Sequence, residues 1–235
     1  MADGKLLAGT SGYSYAEWKP AFYPADLPAA QFLSYYAGRL ATVEINNTFY
    51  RFPAEKQLAD WSAHTPVGFV FAIKAVQKIT HTGRLKDVGD LTRDFVERCR
   101  GLGDKLGPIL FQLPPNFRRD DARLDAFLNG LPAGRRYALE FRHESWFDEA
   151  VLARLRGAGV ALCISEGEHL DSPRVATADF CYLRLRKPEY GEGELRAWRA
   201  WIVPQLHAGR DVYTYLKHDE HGESPEHALR LLAGS

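Results

Sequence analysis

Short strand-like segments alternate with helical ones along the chain, and residues 42–46 show the strand pattern most clearly. Val43 and Ile45 fall on one face of this strand, because successive side chains point to opposite sides. Glu44 and Asn46 fall on the other face. A strand packed under helices does not carry a carboxylate and an amide on its second face unless that face lines a site or a paired polar core. The alternative is an edge strand whose polar face contacts water.

Eight segments of the chain have strand character. They cover residues 6–11, 42–46, 69–74, 108–113, 137–142, 160–165, 180–185 and 211–216. Helical periodicity follows most of them, at residues 28–40, 54–64, 91–100, 123–129, 148–156, 194–206 and from 224 onward. Ser224 is the predicted N-cap of the last helix and Pro225 its first residue. Residues 166–179 are too polar and too short for a full helix, so the crossover after strand six is predicted to be reduced.

This order of elements favours a barrel. Strands that alternate with helices form parallel sheets, and eight parallel strands close into a (β/α)8 barrel. A doubly wound open sheet is the alternative, but the segment after strand one, Gly-Thr-Ser-Gly-Tyr at 9–13, lacks the glycine pattern that binds a dinucleotide. We therefore predict an α/β fold, a (β/α)8 TIM-like barrel, with residues 1–235 in a single domain.

One face of each barrel strand points to the axis and the other to the helices. The strongly apolar residues predicted to face the helices are Val43, Ile45, Phe69, Phe71, Ile73, Leu139, Phe141, Leu162, Ile164, Leu183 and Leu185. The residues predicted to point inward are mostly polar and are Thr42, Glu44, Asn46, Lys74, Gln112, Glu140, Arg142, Ser165, Arg184, Arg186, Tyr213, Tyr215 and Lys217. Most lie toward the C-terminal ends of the strands, where barrel enzymes place their active sites. A ligand site is predicted there, with buried ion pairs alone as the alternative.

The charges of the inward residues predict the kind of ligand. The whole chain has 30 basic and 30 acidic residues, so its net charge indicates no bulk affinity for nucleic acid or membranes. Within the predicted site, however, Glu44 and Glu140 face Lys74, Arg142 and Arg184. The guanidinium group matches phosphate and carboxylate oxygens, so we expect a small anionic ligand or nucleic acid. An ion pair between Glu44 and Lys74, on adjacent strands, is the alternative.

Three side chains are candidates for acid–base chemistry. Glu44 and Glu140 are the two inward carboxyl groups, and His81 lies in the loop after strand three, with an ordinary pKa near neutrality. Asn46 and Gln112 would orient the substrate.

Further residues are predicted to contact the substrate, and they are Tyr50, Lys74, Arg142, His143, Trp146, Arg184 and Tyr215. An aromatic loop, with Trp18 and Tyr23 among its members, follows strand one. Its rings could stack on a base or a sugar, or cap the barrel as a hydrophobic minicore.

Cysteine spacing and hydropathy place the chain among reduced proteins of the cytoplasm. Cys99, Cys163 and Cys181 are an odd set without metal-ligand spacing, and no His-x-x-x-His motif is present, so no metal site is predicted. No segment approaches 18 apolar residues and the N-terminus lacks a signal peptide, so we expect a cytoplasmic protein without membrane contact. The cofactor and the oligomeric state stay open.

The chain resembles the YecE-like family of domains of unknown function. The motifs that carry the resemblance are Gly9-Thr10-Ser11-Gly12-Tyr13 with Trp18 and Phe22-Tyr23-Pro24, Thr42-Val43-Glu44-Ile45-Asn46 with Thr48-Phe49-Tyr50, Phe71-Ala72-Ile73-Lys74 with Thr80-His81, Phe111-Gln112-Leu113-Pro114-Pro115, and Glu140-Phe141-Arg142-His143 with Trp146. The resemblance implies a TIM-like barrel but no established reaction, and its likeness to metal-dependent endonuclease barrels is one of fold alone.

Two positions depart from the pattern of that family. The family usually has His-Gly after the arginine of strand seven, where this chain has Arg186 and Lys187. It often ends strand eight with two asparagines, where this chain has Lys217 and His218. Both changes make the predicted site more basic.

Three functions follow from these observations. The first is an enzyme, such as a phosphoester hydrolase, that acts on a phosphorylated or nucleotide-containing substrate. The second is a module that binds nucleic acid or a small anion without turnover. The third is a carbohydrate-active hydrolase, which needs two carboxyl groups at the separation that glycosidases use.

Overall fold

The structure is a computed structural model that describes residues 3–167, 170–187 and 189–233. Its strands are β1 (Leu6–Thr10), β2 (Thr42–Ile45), β3 (Val70–Lys74), β4 (Leu106–Gln112), β5 (Tyr137–Glu140), β6 (Ala161–Glu166), β7 (Phe180–Leu185) and β8 (Asp211–Leu216). Its helices are α1 (Phe32–Ala37), α2 (Glu55–Ala63), α3 (Gly89–Cys99), α4 (Asp121–Asn129), α5 (Glu149–Ala158), α6 (Glu192–His207) and α7 (Glu223–Leu232). Short 3₁₀ or π-helical turns follow several strands.

The eight strands form a nearly closed parallel barrel, which confirms the predicted fold. From β2 to β8 each strand pairs with the next one along the chain, and β1 pairs with β8. The reduced crossover is also confirmed, since the described residues between β6 and β7 form no helix. Residues 168 and 169 of that segment lie outside the described part. The assignment of the whole chain to one domain stays a prediction.

The seam between β1 and β2 is closed partly by a side chain. The two strands share one isolated bridge, between Ser11 and Glu44. Beside it the hydroxyl of Tyr36, from α1, accepts a hydrogen bond from the Thr10 amide at 2.9 Å. The same hydroxyl donates to the Thr42 carbonyl at 3.0 Å. Tyr36 thus satisfies backbone groups that a regular ladder would pair.

The two faces of the strands divide as the alternation predicts. Every strand residue expected to face the helices lies in the large buried core that the helices share. A second cluster fills the barrel interior and contains Ala72, Leu110, Ala138, Ala161, Cys163, Phe180, Tyr182, Tyr213 and Tyr215. These residues occupy the same strand face as the polar side chains but lie nearer the N-terminal ends. The barrel interior is therefore apolar toward the N-terminal ends of the strands and polar at their C-terminal ends, which form the mouth of the barrel.

The aromatic loop after β1 forms a minicore, as one of the two alternatives predicted. Trp18 and Tyr23 are fully buried. Tyr23 stacks on Phe32 of α1, with 4.2 Å between ring centroids. Tyr15, by contrast, lies at the mouth of the barrel and stacks on His218 at 3.8 Å.

The helices and the cysteines bear on the predictions about membranes and disulfides. Within residues 3–167, 170–187 and 189–233, no helix is both long and apolar enough to cross a membrane. Cys99, Cys163 and Cys181 are buried free thiols. The cytoplasmic location stays a prediction.

Candidate functional site

Arg184 forms the floor of the candidate site, at the C-terminal end of β7. One terminal nitrogen of its guanidinium donates to Glu140 of β5 at 2.6 Å and to Gln112 of β4 at 3.2 Å. The other donates to Glu44 of β2 at 2.9 Å. All three partners point inward because they fall on the polar face of their strands. One buried arginine therefore joins three strands that are not adjacent to its own.

Glu44 is fully buried and surrounded by donors. Besides Arg184, it accepts hydrogen bonds from Ser11 at 2.9 Å, Tyr182 at 2.7 Å and Asn46 at 3.1 Å. Burial alone raises the pKa of a carboxyl group, but here Arg184 and these hydrogen bonds outweigh it, so the pKa of Glu44 lies below its ordinary value. Glu44 is ionised at neutral pH.

Glu140 is held in a similar way. Its second oxygen accepts from Nε of Arg142 at 2.8 Å. Burial raises the pKa of Glu140, whereas the charges of Arg184 and Arg142 lower it by more, to about 2. Both predicted catalytic carboxyl groups are thus ionised and paired with arginine.

A cavity of about 410 Å³ opens above this floor at the mouth of the barrel. Its basic lining residues are Lys74, Arg142, Arg184, Arg186, Lys217 and His218. Its other lining residues are Ser11, Tyr15, Asn46, Phe49, Tyr50 and Gln112. A second cavity of about 290 Å³ shares Arg142, Arg186 and Lys217 with it, and adds Glu140 and Ser165. The two form one continuous depression at the C-terminal ends of the strands.

Two of the cations that line the depression lack a carboxylate partner. Within the described part of the chain, neither Lys74 nor Arg186 forms an ion pair. Burial and the nearby charge of Arg184 lower the pKa of Lys74 to about 8 and also lower the pKa of Arg186. The alternative pairing of Glu44 with Lys74 is wrong, because the four donors of Glu44 come from other residues and Arg184 supplies its cation.

His81 lies in the π-helical turn Lys78–Thr82, directly after β3. Its Nδ1 is 2.9 Å from the hydroxyl of Thr80, and its ring meets the Phe49 ring edge-on at 4.8 Å. Partial burial and the charges of Lys74 and Arg142 hold the pKa of His81 below its ordinary value. The imidazole is therefore neutral at pH 7 and able to accept a proton.

Several predicted substrate-binding residues do line the cavity. Asn46 and Gln112 lie on its floor next to the carboxylates, and Tyr50 stands on its rim with 73% of its surface exposed. The Oδ1 atom of Asn46 and Nε of Arg184 are buried without a hydrogen-bond partner in the described part.

His81 and three other predicted residues do not line either cavity. Trp146 is fully buried, donates to the Phe117 carbonyl at 2.7 Å and stacks on Phe141. Tyr215 belongs to the apolar interior. Through Nδ1, His143 accepts the Ser145 amide at 3.1 Å and caps a 3₁₀ turn.

These positions have local causes. Trp146 ends the 3₁₀ turn Glu144–Trp146, and the Phe117 carbonyl satisfies its indole nitrogen. The Tyr215 hydroxyl is 2.8 Å from that of Thr42 and is satisfied without a ligand.

Sequence reasoning missed several residues of the site. Tyr182 falls two positions before Arg184, so strand alternation alone would have placed it inward. Arg186 and Lys217 were predicted to point inward but not to contact the ligand. Both positions depart from the family pattern, and this departure was a signal that they belong to the site. Ser11 ended predicted strand one and belonged to the first family motif, but it was not counted among the inward residues.

A family model described as a protein of unknown function, DUF72, matches residues 7–234. The chain belongs to the DUF72 family. This confirms the resemblance found in the sequence. Protein YecE of Escherichia coli is 33% identical over 163 residues, which cover 67% of this chain and 60% of that protein. Protein YunF of Bacillus subtilis is 22% identical, and the match covers 89% of this chain and 88% of that protein.

Solved DUF72 structures share the fold. A DUF72 family protein from Thermotoga maritima superposes with a TM-score of 0.87 at 26% identity, over 98% of both chains. One from Enterococcus faecalis gives 0.81 at 18% identity, over 97% of this chain and 94% of that one. Their names assign no reaction, so chemistry has to be argued from the site of this DUF72 chain. Within its described residues, no group of three or more His, Cys, Asp or Glu side chains could hold a metal ion.

Proposed function

We propose that the protein is an enzyme that binds a small anionic substrate, phosphorylated or nucleotide-containing, at the mouth of the barrel. The observation that carries the proposal is the excess of positive charge there. The depression is lined by Lys74, Arg142, Arg184 and Arg186, four cationic side chains against the two carboxylates of its floor. Within the described residues, Lys74 and Arg186 have no carboxylate partner. Holding unpaired charges together while partly buried is unfavourable unless an anion offsets the repulsion.

The three arginines contribute to anion binding in different ways. Arg184 is fixed by its two carboxylates, so it contributes a rigidly placed positive charge beneath the anion. Arg142 is bonded to Glu140 through Nε, and its terminal nitrogens form no hydrogen bond with any described residue. Arg186 adds a second guanidinium group to the wall. Such planar groups bind phosphate or carboxylate oxygens through paired hydrogen bonds.

The acid–base roles differ from those that the sequence suggested. Glu44 and Glu140 are ionised, and their oxygens are occupied by donors, so they are poor proton donors and weak bases. We assign them to the positioning of Arg184. His81, neutral at pH 7 and packed edge-on against Phe49 of the cavity wall, is the group that best fits a general base.

The same argument disfavours a carbohydrate-active hydrolase. Glycosidases need one carboxyl group that stays protonated near neutral pH. Here a single guanidinium group contacts both carboxylates and keeps both ionised. A binding module without turnover is the stronger second candidate, because these ion pairs leave the site with few proton-transfer groups.

Thermal stability in the presence of anions tests the proposed binding. Inorganic phosphate, pyrophosphate and adenosine monophosphate are each expected to raise the Tm above that in sodium chloride of equal ionic strength. Arg186→Gln should remove most of that rise. Arg93→Gln, at an exposed position of α3, is the matched control and should retain it. An equal rise in the wild type and in Arg186→Gln contradicts the assignment.

Turnover separates the enzyme from the binding module. Phosphomonoesters and phosphodiesters would be incubated with the protein, with and without divalent cations, and release of phosphate or alcohol measured. Activity that disappears in His81→Gln supports the enzyme. Stabilisation by anions without turnover favours the binding module.

A further inference from the structure

The amine of Lys74 lacks polar contacts although it lies among charged residues. Lys74 ends β3, and its Nζ lies over the Phe49 ring, 4.3 Å from the centroid. Its backbone carbonyl accepts the Thr48 hydroxyl at 2.7 Å, which fixes the end of the strand. Among the described residues, its amine has no hydrogen-bond or ion-pair partner. The backbone is held firmly while the amine faces the cavity.

A lysine kept only for its charge would be expected to contact a carboxylate. Glu44 lies on the neighbouring strand, yet its oxygens are taken up by Ser11, Asn46, Tyr182 and Arg184. The buried carboxylate of Glu44 therefore pairs with Arg184 and not with Lys74. The amine of Lys74 meets an aromatic face and other positive groups instead.

These surroundings favour the neutral amine. Burial and then the charge of Arg184 lower the pKa of Lys74 to about 8. At pH 7 about one molecule in ten therefore carries the unprotonated amine, whereas an ordinary lysine carries it in fewer than about one in a thousand. Desolvated lysines beside other cations act as nucleophiles toward carbonyl groups.

We propose that Lys74 forms an imine with the carbonyl carbon of a small oxo compound whose carboxylate or phosphate is held by Arg142, Arg184 and Arg186. This inference rests on the proposed anion binding and names the substrate class of the same site. The cavity of about 410 Å³ accommodates a compound of this size.

The chemical steps balance without a further reactant. The nitrogen lone pair forms a bond to the carbonyl carbon, and the π electrons move to oxygen, which takes up a proton. The carbinolamine then loses its hydroxyl group and the remaining nitrogen proton as one water molecule, leaving the imine. The imine withdraws electrons from the neighbouring carbon, which suits proton removal or carbon–carbon bond cleavage there.

Reductive trapping tests the proposal. The protein would be incubated with pyruvate or with dihydroxyacetone phosphate and then reduced with sodium borohydride, which converts an imine to a stable secondary amine. Intact mass and peptide mapping are expected to show one adduct per chain, on Lys74, from at least one probe. Pyruvate labelling indicates a 2-oxo acid, and labelling by the other probe indicates a phosphorylated ketone. Acetone at the same concentration is the neutral control and should not label.

Variants separate the nucleophile from the anion site. Lys74→Arg keeps the positive charge, so it should abolish the adduct and retain the rise in Tm with phosphate. Arg186→Gln should raise the probe concentration for half-maximal labelling by about tenfold, since it removes a charge-assisted contact.

Absence of an adduct on Lys74 with both probes, or labelling of the exposed Lys56 to the same extent, overturns the imine and leaves the anion site standing. Trapping on Lys74 without any phosphate-induced rise in Tm overturns the anion site instead.

Discussion

Arg184 is bonded to two buried carboxylates by one guanidinium group, and this arrangement predicts a large cost when the guanidinium is removed. Arg184→Met leaves Glu44 and Glu140 buried without their main cation. Breaking a buried pair by removing one partner costs about 3–5 kcal/mol. Urea unfolding at pH 7 should show a loss of at least this order.

The control for this prediction is Arg93→Met, whose ion pair with Asp90 is exposed on both sides. Exposed pairs contribute about 0–1 kcal/mol, so this variant should unfold close to the wild type. Equal small losses in both variants would show that the floor is not held by Arg184.

The pKa of Glu140 predicts how stability depends on pH. Its pKa in the folded chain is about 2, below the ordinary 4.5, so its contribution is fully present above about pH 4.5 and is lost as the pH falls toward 2. The shift corresponds to about 3 kcal/mol at most. The free energy of unfolding should therefore fall steeply across this window, as followed by urea unfolding at several pH values.

Glu140→Gln carries no titrating group at that position, so its curve should be flatter between pH 4.5 and 2 although its stability at pH 7 is lower. Glu97→Gln, on the exposed face of α3, should keep the slope of the wild type. A slope unchanged by Glu140→Gln would contradict the low pKa.

At the scale of elements, the start of α7 is held by a residue that the sequence did not indicate. The sequence predicted Ser224 as the N-cap, but α7 begins at Glu223, and the Ser224 hydroxyl donates to the Lys217 carbonyl. The Asp219 carboxylate accepts the amides of Glu223 at 2.9 Å and Ser224 at 2.7 Å instead. Asp219 thus ties the loop after β8 to the helix.

Asp219→Ala should destabilise the protein by about 1–2 kcal/mol, because the first amides of α7 lose their acceptor. Asp219→Asn keeps an acceptor oxygen and should lose less than half of that. Thermal unfolding of both variants checks the order. The exposed neighbour Glu220→Ala is the control, and an equal loss there would argue against capping.

Strand alternation explains how much of the architecture was predictable. A period of two residues specifies which face of a strand is apolar, so Val43, Glu44 and Arg184 were placed on the correct faces from sequence alone. Periodicity does not specify how far a side chain reaches across a barrel. The long Arg184 crosses to Glu44, and Lys74 on the adjacent strand does not pair with it.

Loop residues were predicted less well for a similar physical reason. Trp146 and His143 follow an inward strand, and position alone favoured a role in the site. The 3₁₀ turn after β5 places the Trp146 ring in the core and uses the His143 ring as a cap. Such turns depend on packing against distant segments such as Phe117, which no local pattern encodes.

At the scale of the whole molecule, the hydroxyl of Tyr36 joins the two strands at the seam of the barrel. Tyr36→Phe leaves the Thr10 amide and the Thr42 carbonyl buried without their partner. An unsatisfied buried group costs about 1–3 kcal/mol. Unfolding in urea should show a loss of this size, and amide exchange at Thr10 should accelerate.

Tyr35→Phe, on the same helix, makes a matched control, since no hydrogen bond of the Tyr35 hydroxyl is present within the described residues. It should leave both measurements near the wild type. Slow exchange at Thr10 in Tyr36→Phe would show that the seam is closed by other contacts.

The pairing of β1 also has a consequence for the order of folding. Its ladder partner is β8, so Leu6 pairs with Val212 across almost the entire sequence. The strands from β2 to β7 find their partners close by in the chain, and such local pairs form at a lower entropic cost. During synthesis, β1 leaves the ribosome before the other seven strands. It cannot pair with its ladder partner until β8 has been made. We expect the barrel to be completed at its two termini last, with the Tyr36 hydroxyl closing the final gap.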